Sequence, residues 1–116
     1  MYGLYRLVMK IATFNVNSVR ARLPNLLNWL KDLNPDIVLL QETKVVDDLF
    51  PTEAIEELGY NLAVHGQKTY NGVAILSKTP LEDVKKSLPG DQTDNECRYI
   101  EAVSYTHLTL PTNREV

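Results

Sequence analysis

Pro35-Asp36-Ile37-Val38-Leu39-Leu40-Gln41-Glu42-Thr43-Lys44 is the stretch on which the reading of this chain turns. Its apolar run does not alternate with polar residues, the pattern of a strand covered on both faces. Gln41-Glu42-Thr43-Lys44 follows at once, so oxygen-bearing side chains arrive at the C-terminal end of that strand. Upstream, residues 9–16 read as a second short buried strand, ending in Phe14-Asn15-Val16-Asn17. Between the two lies a polar, basic connection and then a helix. Leu23, Leu26, Leu27, Leu30 and Leu33 form its narrow apolar stripe. Pro24 suits the first turn, where its missing N–H costs nothing, and Asn34-Pro35 stops the helix. Strand, helix and strand within about 30 residues predict a βαβ-type unit.

Downstream, Pro51 to Leu58 predicts a short helix closed by Gly59, and Tyr60 to Val64 a strand. Asn71-Gly72 supplies a turn before the apolar strand Val73-Ala74-Ile75-Leu76, which ends at Lys78-Thr79-Pro80. Residues 85–96, with Pro89-Gly90, read as a polar loop, and Arg98 to Val103 as one more strand. Residues 104–116 read differently: one alternating stretch, Pro111, then polar residues. There is no internal repeat and no linker.

The 116 residues, 44% of them hydrophobic, suffice for one domain with its own core. Cys97 is the single cysteine, which excludes an intrachain disulfide and fits a cytoplasmic protein. No apolar run approaches the roughly 20 residues that span a bilayer, and residues 1–8 lack the features of a signal peptide. The net charge of −3 argues mildly against a polyanion partner, but its distribution matters more. Residues 1–46 hold six Lys/Arg against three Asp/Glu, and residues 47–116 six against twelve. Both candidate site strands lie in the basic half.

A carboxylate at a strand end suits Mg²⁺, which prefers oxygen ligands, so Glu42 is the candidate metal ligand. Asn15 and Asn17 can add amide oxygens or hydrogen bonds to a metal-bound phosphate. Read alone, Glu42 also fits an exposed acid paired with Lys44, and the two asparagines fit turn formation. Arg20, Arg22, Lys44 and Lys68 are candidate phosphate contacts, or solvated surface charge. Tyr70-Asn71-Gly72 can set a ring and an amide against a nucleic-acid backbone, or form an ordinary hairpin tip. His65 and His107 lack metal-ligand spacing, His65 reading as a loop or backbone-bonded histidine. Cys97 reads as a small apolar residue.

Taken together, residues 9–22, Pro35 to Lys44, Leu58-Gly59-Tyr60, His65-Gly66-Gln67-Lys68 and residues 71–77 resemble the exonuclease III / apurinic-apyrimidinic endonuclease family. That family belongs to the endonuclease–exonuclease–phosphatase superfamily. The resemblance runs in order from about Met9 to Val103, and Leu-Gln-Glu-Thr-Lys with His-Gly-Gln-Lys are its most specific signatures. It implies an α/β fold, a four-layer sandwich of two mixed sheets with helices outside, of which this chain would be a truncated N-terminal half. It implies Mg²⁺- or Mn²⁺-dependent hydrolysis of DNA phosphodiesters in base-excision repair by a monomer. The partner would be double-stranded DNA bearing abasic sites or 3′ ends. Residue by residue, it assigns Glu42 and Asn15 to the metal site. It places Asn17 near the metal and among the DNA-facing residues Arg20, Lys44, Lys68, Tyr70 and Asn71.

Four elements of the family pattern have no counterpart: a strand-end tyrosine, a Gly-Asp-Met-Asn segment, a later metal-site Asp and a Ser-Asp-His. His107 sits in Tyr-Thr-His-Leu and does not replace the last. Residues 1–8 are expected to be an upstream extension, 9–103 a partial domain, and 104–116 a foreign, adapter-like end. One sheet would then lack its partner. Several hundred Å² of lost burial, at roughly 25 cal/mol per Å², is roughly 10 kcal/mol, comparable to a domain's whole stability. The expectation is a marginal, aggregation-prone chain with negligible nuclease activity. Two other readings are a superfamily phosphoesterase acting on lipid or inositol phosphates, and a non-catalytic DNA-binding module using the basic first half.

Overall fold

The computed structural model describes residues 9–86, 97–104 and 109–113. The expected extension over 1–8, the Pro89-Gly90 part of the polar loop and His107 lie outside the described residues.

Strand β1 (Ile11–Asn15), helix α1 (Leu23–Leu33) and strand β2 (Ile37–Gln41) form the expected βαβ unit, with β1 and β2 parallel and adjacent. Helix α1 stops where Asn34 turns left-handed (φ 50°) and its N–H bonds the Leu30 carbonyl. Helix α2 (Thr52–Glu56) precedes β3 (Asn61–His65), which pairs antiparallel with β4 (Val73–Ser77). Strand β4 inserts between β2 and β3, so the first sheet runs β1-β2-β4-β3. Its five residues are all buried, the apolar run Val73 to Leu76 as a strand covered on both faces requires, and the polar Ser77 with them.

A second sheet follows, ordered β5 (Leu81–Lys85), β6 (Tyr99–Ser104) and β7 (Thr109–Asn113). The sequence reading placed no strand at Leu81–Lys85. Its Leu-Glu-Asp-Val-Lys pattern hides one because β5 is largely exposed and its register with β6 shifts between Glu82 and Lys85. Residues 109–113, within the segment expected to stand apart, pair with β6 from Val103↔Thr109 to Tyr99↔Asn113.

Two cores result. On the outer face of the first sheet, Leu26 and Leu30 of α1 and Ile55 of α2 pack with Val38, Leu40, Ala74 and Leu76. On the inner face, Ile37, Ala63, Val73 and Ile75 meet Ile100 and Ala102 of β6. The described layers are therefore helices, sheet and sheet. The inner face does not meet water along its whole width, as the sequence reading expected. Among the described residues the second sheet lies over β2, β4 and β3 and leaves β1 uncovered there: Ile11 is 50% exposed, and Thr13 and Asn15 are exposed too. Leu33, the last member of the α1 stripe, is also exposed.

Tyr60 ties the far end of this sheet. Its ring is buried and its hydroxyl donates to the Pro35 carbonyl at 2.6 Å. Burial, and secondarily the negative charge of Asp36, push the phenol above its ordinary value of 10.0. The folded state thus holds this proton more tightly than the unfolded chain, so the contribution is complete below about pH 10 and fades as pH rises beyond it. Tyr60→Phe should lower stability by about 1 kcal/mol at neutral pH. Urea midpoints followed into the alkaline range should converge for the two proteins, since the variant has no phenol at this position to ionise.

Candidate metal and nucleic-acid site

The C-terminal ends of β1, β2 and β3 and the start of β4 lie along one end of the first sheet. The residues leaving those ends converge. Past β1, the Ser18 N–H bonds the Glu42 carbonyl at 2.8 Å and the Val19 N–H bonds the Thr43 carbonyl at 3.0 Å. On the other side, the Thr43 N–H bonds the Gly72 carbonyl at 3.1 Å and the Lys44 N–H bonds the Asn71 carbonyl at 2.9 Å. The 42–44 segment is clamped between two neighbours. That clamp explains how Glu42 (φ 55°) and Lys44 (φ 56°) hold left-handed backbone that non-glycine residues disfavour. Asn17 (φ 45°) and Ser18 (φ 81°) do the same across from them.

The side chains meet as well. Asn15 Nδ2 donates to the Glu42 carboxylate, while Asn15 Oδ1 accepts the Asn17 N–H at 3.1 Å. Lys44 Nζ reaches Asn17 Oδ1 at 2.6 Å. Asn15, Asn17, Glu42 and Lys44 therefore form one connected group. Because both ends of the Asn15 amide are engaged, it orients Glu42 through its nitrogen, leaving the carboxylate as the hard oxygen donor. The adjoining turns carry the remaining candidates. Arg20 and Lys68 are exposed, Tyr70 is 67% exposed, and Asn71 is joined to Lys44 through its backbone. Arg22 stands at the start of α1, its carbonyl accepting the Leu26 N–H. His65 lies on β3 with Nδ1 3.1 Å from the Tyr99 carbonyl oxygen, to which it donates. Buried Cys97 closes the other side of the 67–72 turn, its carbonyl accepting the Gly72 N–H at 2.8 Å.

Three residues matter here that stood inside the quoted motifs without a role of their own. Gln67 Oε1 accepts the Cys97 N–H at 2.8 Å and holds the 67–72 turn to the start of β6. Gln41 Nε2 lies 2.9 Å from Thr13 Oγ1 and 2.8 Å from Thr112 Oγ1, linking β1, β2 and β7. The Thr43 hydroxyl is buried with no hydrogen-bond partner, pressed against Gly72. Each depends on contacts between segments distant in the chain, for which a linear pattern carries no signal.

The described part is a layered α/β fold with a carboxylate held at joined strand ends beside amide and ammonium groups. The profile of the Endonuclease/Exonuclease/phosphatase family matches residues 12–114, and the chain belongs to that family. It is 40% identical over 104 residues to exodeoxyribonuclease III of Haemophilus influenzae, covering 90% of this chain and 39% of that protein. Among solved structures, an AP endonuclease from Archaeoglobus fulgidus superposes with TM-score 0.87 at 40% identity, over 92% of this chain and 41% of the other. The 3′ phosphatase NExo from Neisseria, bound to product DNA hairpin, gives 0.85 at 43% identity over 90% and 40%. The chain thus spans about two fifths of the length of these relatives. Among the described residues, no helix is long and apolar enough to cross a membrane.

Proposed function

We propose that this chain carries the first metal-binding part of a DNA phosphodiesterase of the exonuclease III / AP endonuclease type. The observation that carries the reading is the hydrogen bond from the Asn15 amide to the Glu42 carboxylate at the adjacent ends of two parallel strands. The donor set fits Mg²⁺ or Mn²⁺, which bind through one or two carboxylates and complete their shells with water and substrate phosphate. Such an ion, when bound, would neutralise charge on the scissile phosphate.

The chain's own residues have separate tasks. Glu42 supplies the anionic oxygen and Asn15 fixes its direction. Asn17 holds the Lys44 ammonium beside the site, where a phosphate would approach. Arg20, Lys68, Tyr70 and Asn71 stand on the flanking turns as backbone contacts, which position a duplex without reading its sequence. The names of the relatives, AP endonuclease, 3′ phosphatase and exodeoxyribonuclease, support abasic sites and 3′ ends in base-excision repair as the substrates. Among the described residues there is no group of three or more His, Cys, Asp or Glu able to hold a metal. With Glu42 as its acidic anchor and no such group around it among those residues, the chain alone should bind metal weakly and turn over no substrate.

Uptake of Mn²⁺, followed by loss of the free-ion paramagnetic resonance signal, tests the reading. Glu42→Gln should weaken uptake about tenfold or more. Equal uptake by the two proteins would overturn the metal assignment. An abasic duplex with Mg²⁺ should stay uncut above background, and robust turnover would contradict the expected inactivity.

A further inference from the structure

We propose that Gln67 is a positioning residue: it fixes the 67–72 loop so that Lys68 and Tyr70 meet a nucleic-acid backbone as one preset unit. The assignment deepens, and rests on, the reading that this loop faces DNA. The loop joins β3 to β4, whose last and first residues, His65 and Val73, are paired. Its path is strained. Thr69 (φ 73°) and Asn71 (φ 54°) take left-handed backbone, and at Thr69 the branched Cβ makes that conformation costly. Such backbone persists only where its surroundings over-determine it.

The two halves of the loop are held differently. Main chain secures the second half, where the Asn71 and Gly72 carbonyls accept the Lys44 and Thr43 N–H groups at 2.9 and 3.1 Å. The first half is secured by a side chain. Cys97, just before β6, closes the mouth of the loop with both of its backbone groups. Its carbonyl accepts the Gly72 N–H at 2.8 Å, and its N–H donates to Gln67 Oε1 at 2.8 Å. One buried residue thereby ties position 67 to position 72. Asn71 Nδ2 lies 3.5 Å from the same Gln67 oxygen. Gln67 is half-buried and Cys97 buried, so the tie is sheltered from water, where a hydrogen bond is stronger.

Between the tied ends the tip stands out. Lys68 and Thr69 are exposed, and Tyr70 is 67% exposed. The Tyr70 N–H bonds the Lys68 carbonyl at 2.8 Å, so ammonium and ring are carried on one short piece of backbone. A loop fixed before contact does not pay its ordering entropy on binding. The neutral amide suits the task. A glutamate could span the same gap, but it would set a negative charge next to Lys68, where a phosphate would approach.

Fluorescence anisotropy of a labelled abasic duplex tests this, with the whole chain titrated in at several salt concentrations without divalent metal. Gln67→Met keeps the length and removes the acceptor, and Gln67→Asn keeps the amide but withdraws it by a methylene. Each should weaken binding about fivefold or more and lower the salt slope by about 1, because the Lys68 contact goes with the loop's position. Lys68→Ala should lower the slope equally, and adding Gln67→Met to it should lower it no further. Mere destabilisation reduces the folded fraction and leaves the slope alone, so weaker binding at an unchanged slope would overturn the proposal. Gln67→Asn decides the matter should the methionine variant fail to fold. If Lys68→Ala and Tyr70→Ala weaken binding while both Gln67 variants match wild type, the positioning role falls and the DNA reading of the loop stands. If Lys68→Ala and Tyr70→Ala bind like wild type, or the wild type binds no duplex, the DNA reading of the loop falls and the proposal with it.

Discussion

Gly66→Ala is expected to destabilise the fold by about 3 kcal/mol or more, enough to unfold much of the population near body temperature. A Cβ at Gly66 would lie 1.9 Å from the Val45 carbonyl oxygen and 3.1 Å from its carbon. Both are main-chain atoms, so no rotamer change relieves the overlap and one of the two segments must move. Neither can move cheaply. The Gly66 N–H donates to Asp47 Oδ1 at 2.7 Å, and Val45 is buried directly after the clamped 42–44 segment. Displacement there shifts Lys44 and loosens the hold on Glu42, so the variant should lose Mn²⁺ uptake along with stability. Gly72 makes a useful contrast. A Cβ there meets the Thr43 hydroxyl at 2.1 Å, a side-chain atom that can rotate, and the cost of Gly72→Ala comes in part from its φ of +93°. Chemical denaturation of the two variants checks the comparison. A Gly66→Ala midpoint within error of wild type would show that the loops do not pack as described.

Leu76→Ala is expected to cost about 2–5 kcal/mol. Leu76 is fully buried at the middle layer of the outer core, on the strand between β2 and β3, with Val38 and Leu62 as its cross-strand neighbours. Helices cover it from outside, so a cavity there cannot fill with water or collapse without moving α1. The loss is a large part of the stability typical of a domain this size. Thermal unfolding should show a drop of many degrees, whereas Val84→Ala on exposed β5 should leave the midpoint nearly unchanged.

Most of the first sheet was legible because its strands are short apolar runs and its helix has a clear stripe. The Ile37–Leu40 run and the leucines from Leu23 to Leu30 place themselves by burial alone. The strand at Leu81–Lys85 was not legible, since an exposed edge strand carries no apolar pattern and is held by its partner β6. The site was half legible. Strand ends deliver Asn15 and Glu42, and the family resemblance assigned them. Spacing gave no sign that the Asn15 amide would face Glu42 with its nitrogen, or that Gln67 would pin the neighbouring turn.

The order of hydrophobic and polar residues determines which segments become strands and helices, because local periodicity and turn residues act over a few positions of chain. It also determines that carboxylate, amides and cations leave the strands at the same kind of position. Strand order, coverage and backbone strain are collective properties. The insertion of β4 between β2 and β3, the shelter of the inner face by β6 and the left-handed backbone at Glu42 all arise from hydrogen bonds and packing between residues far apart in the chain. Those contacts exist only once the whole sheet has assembled.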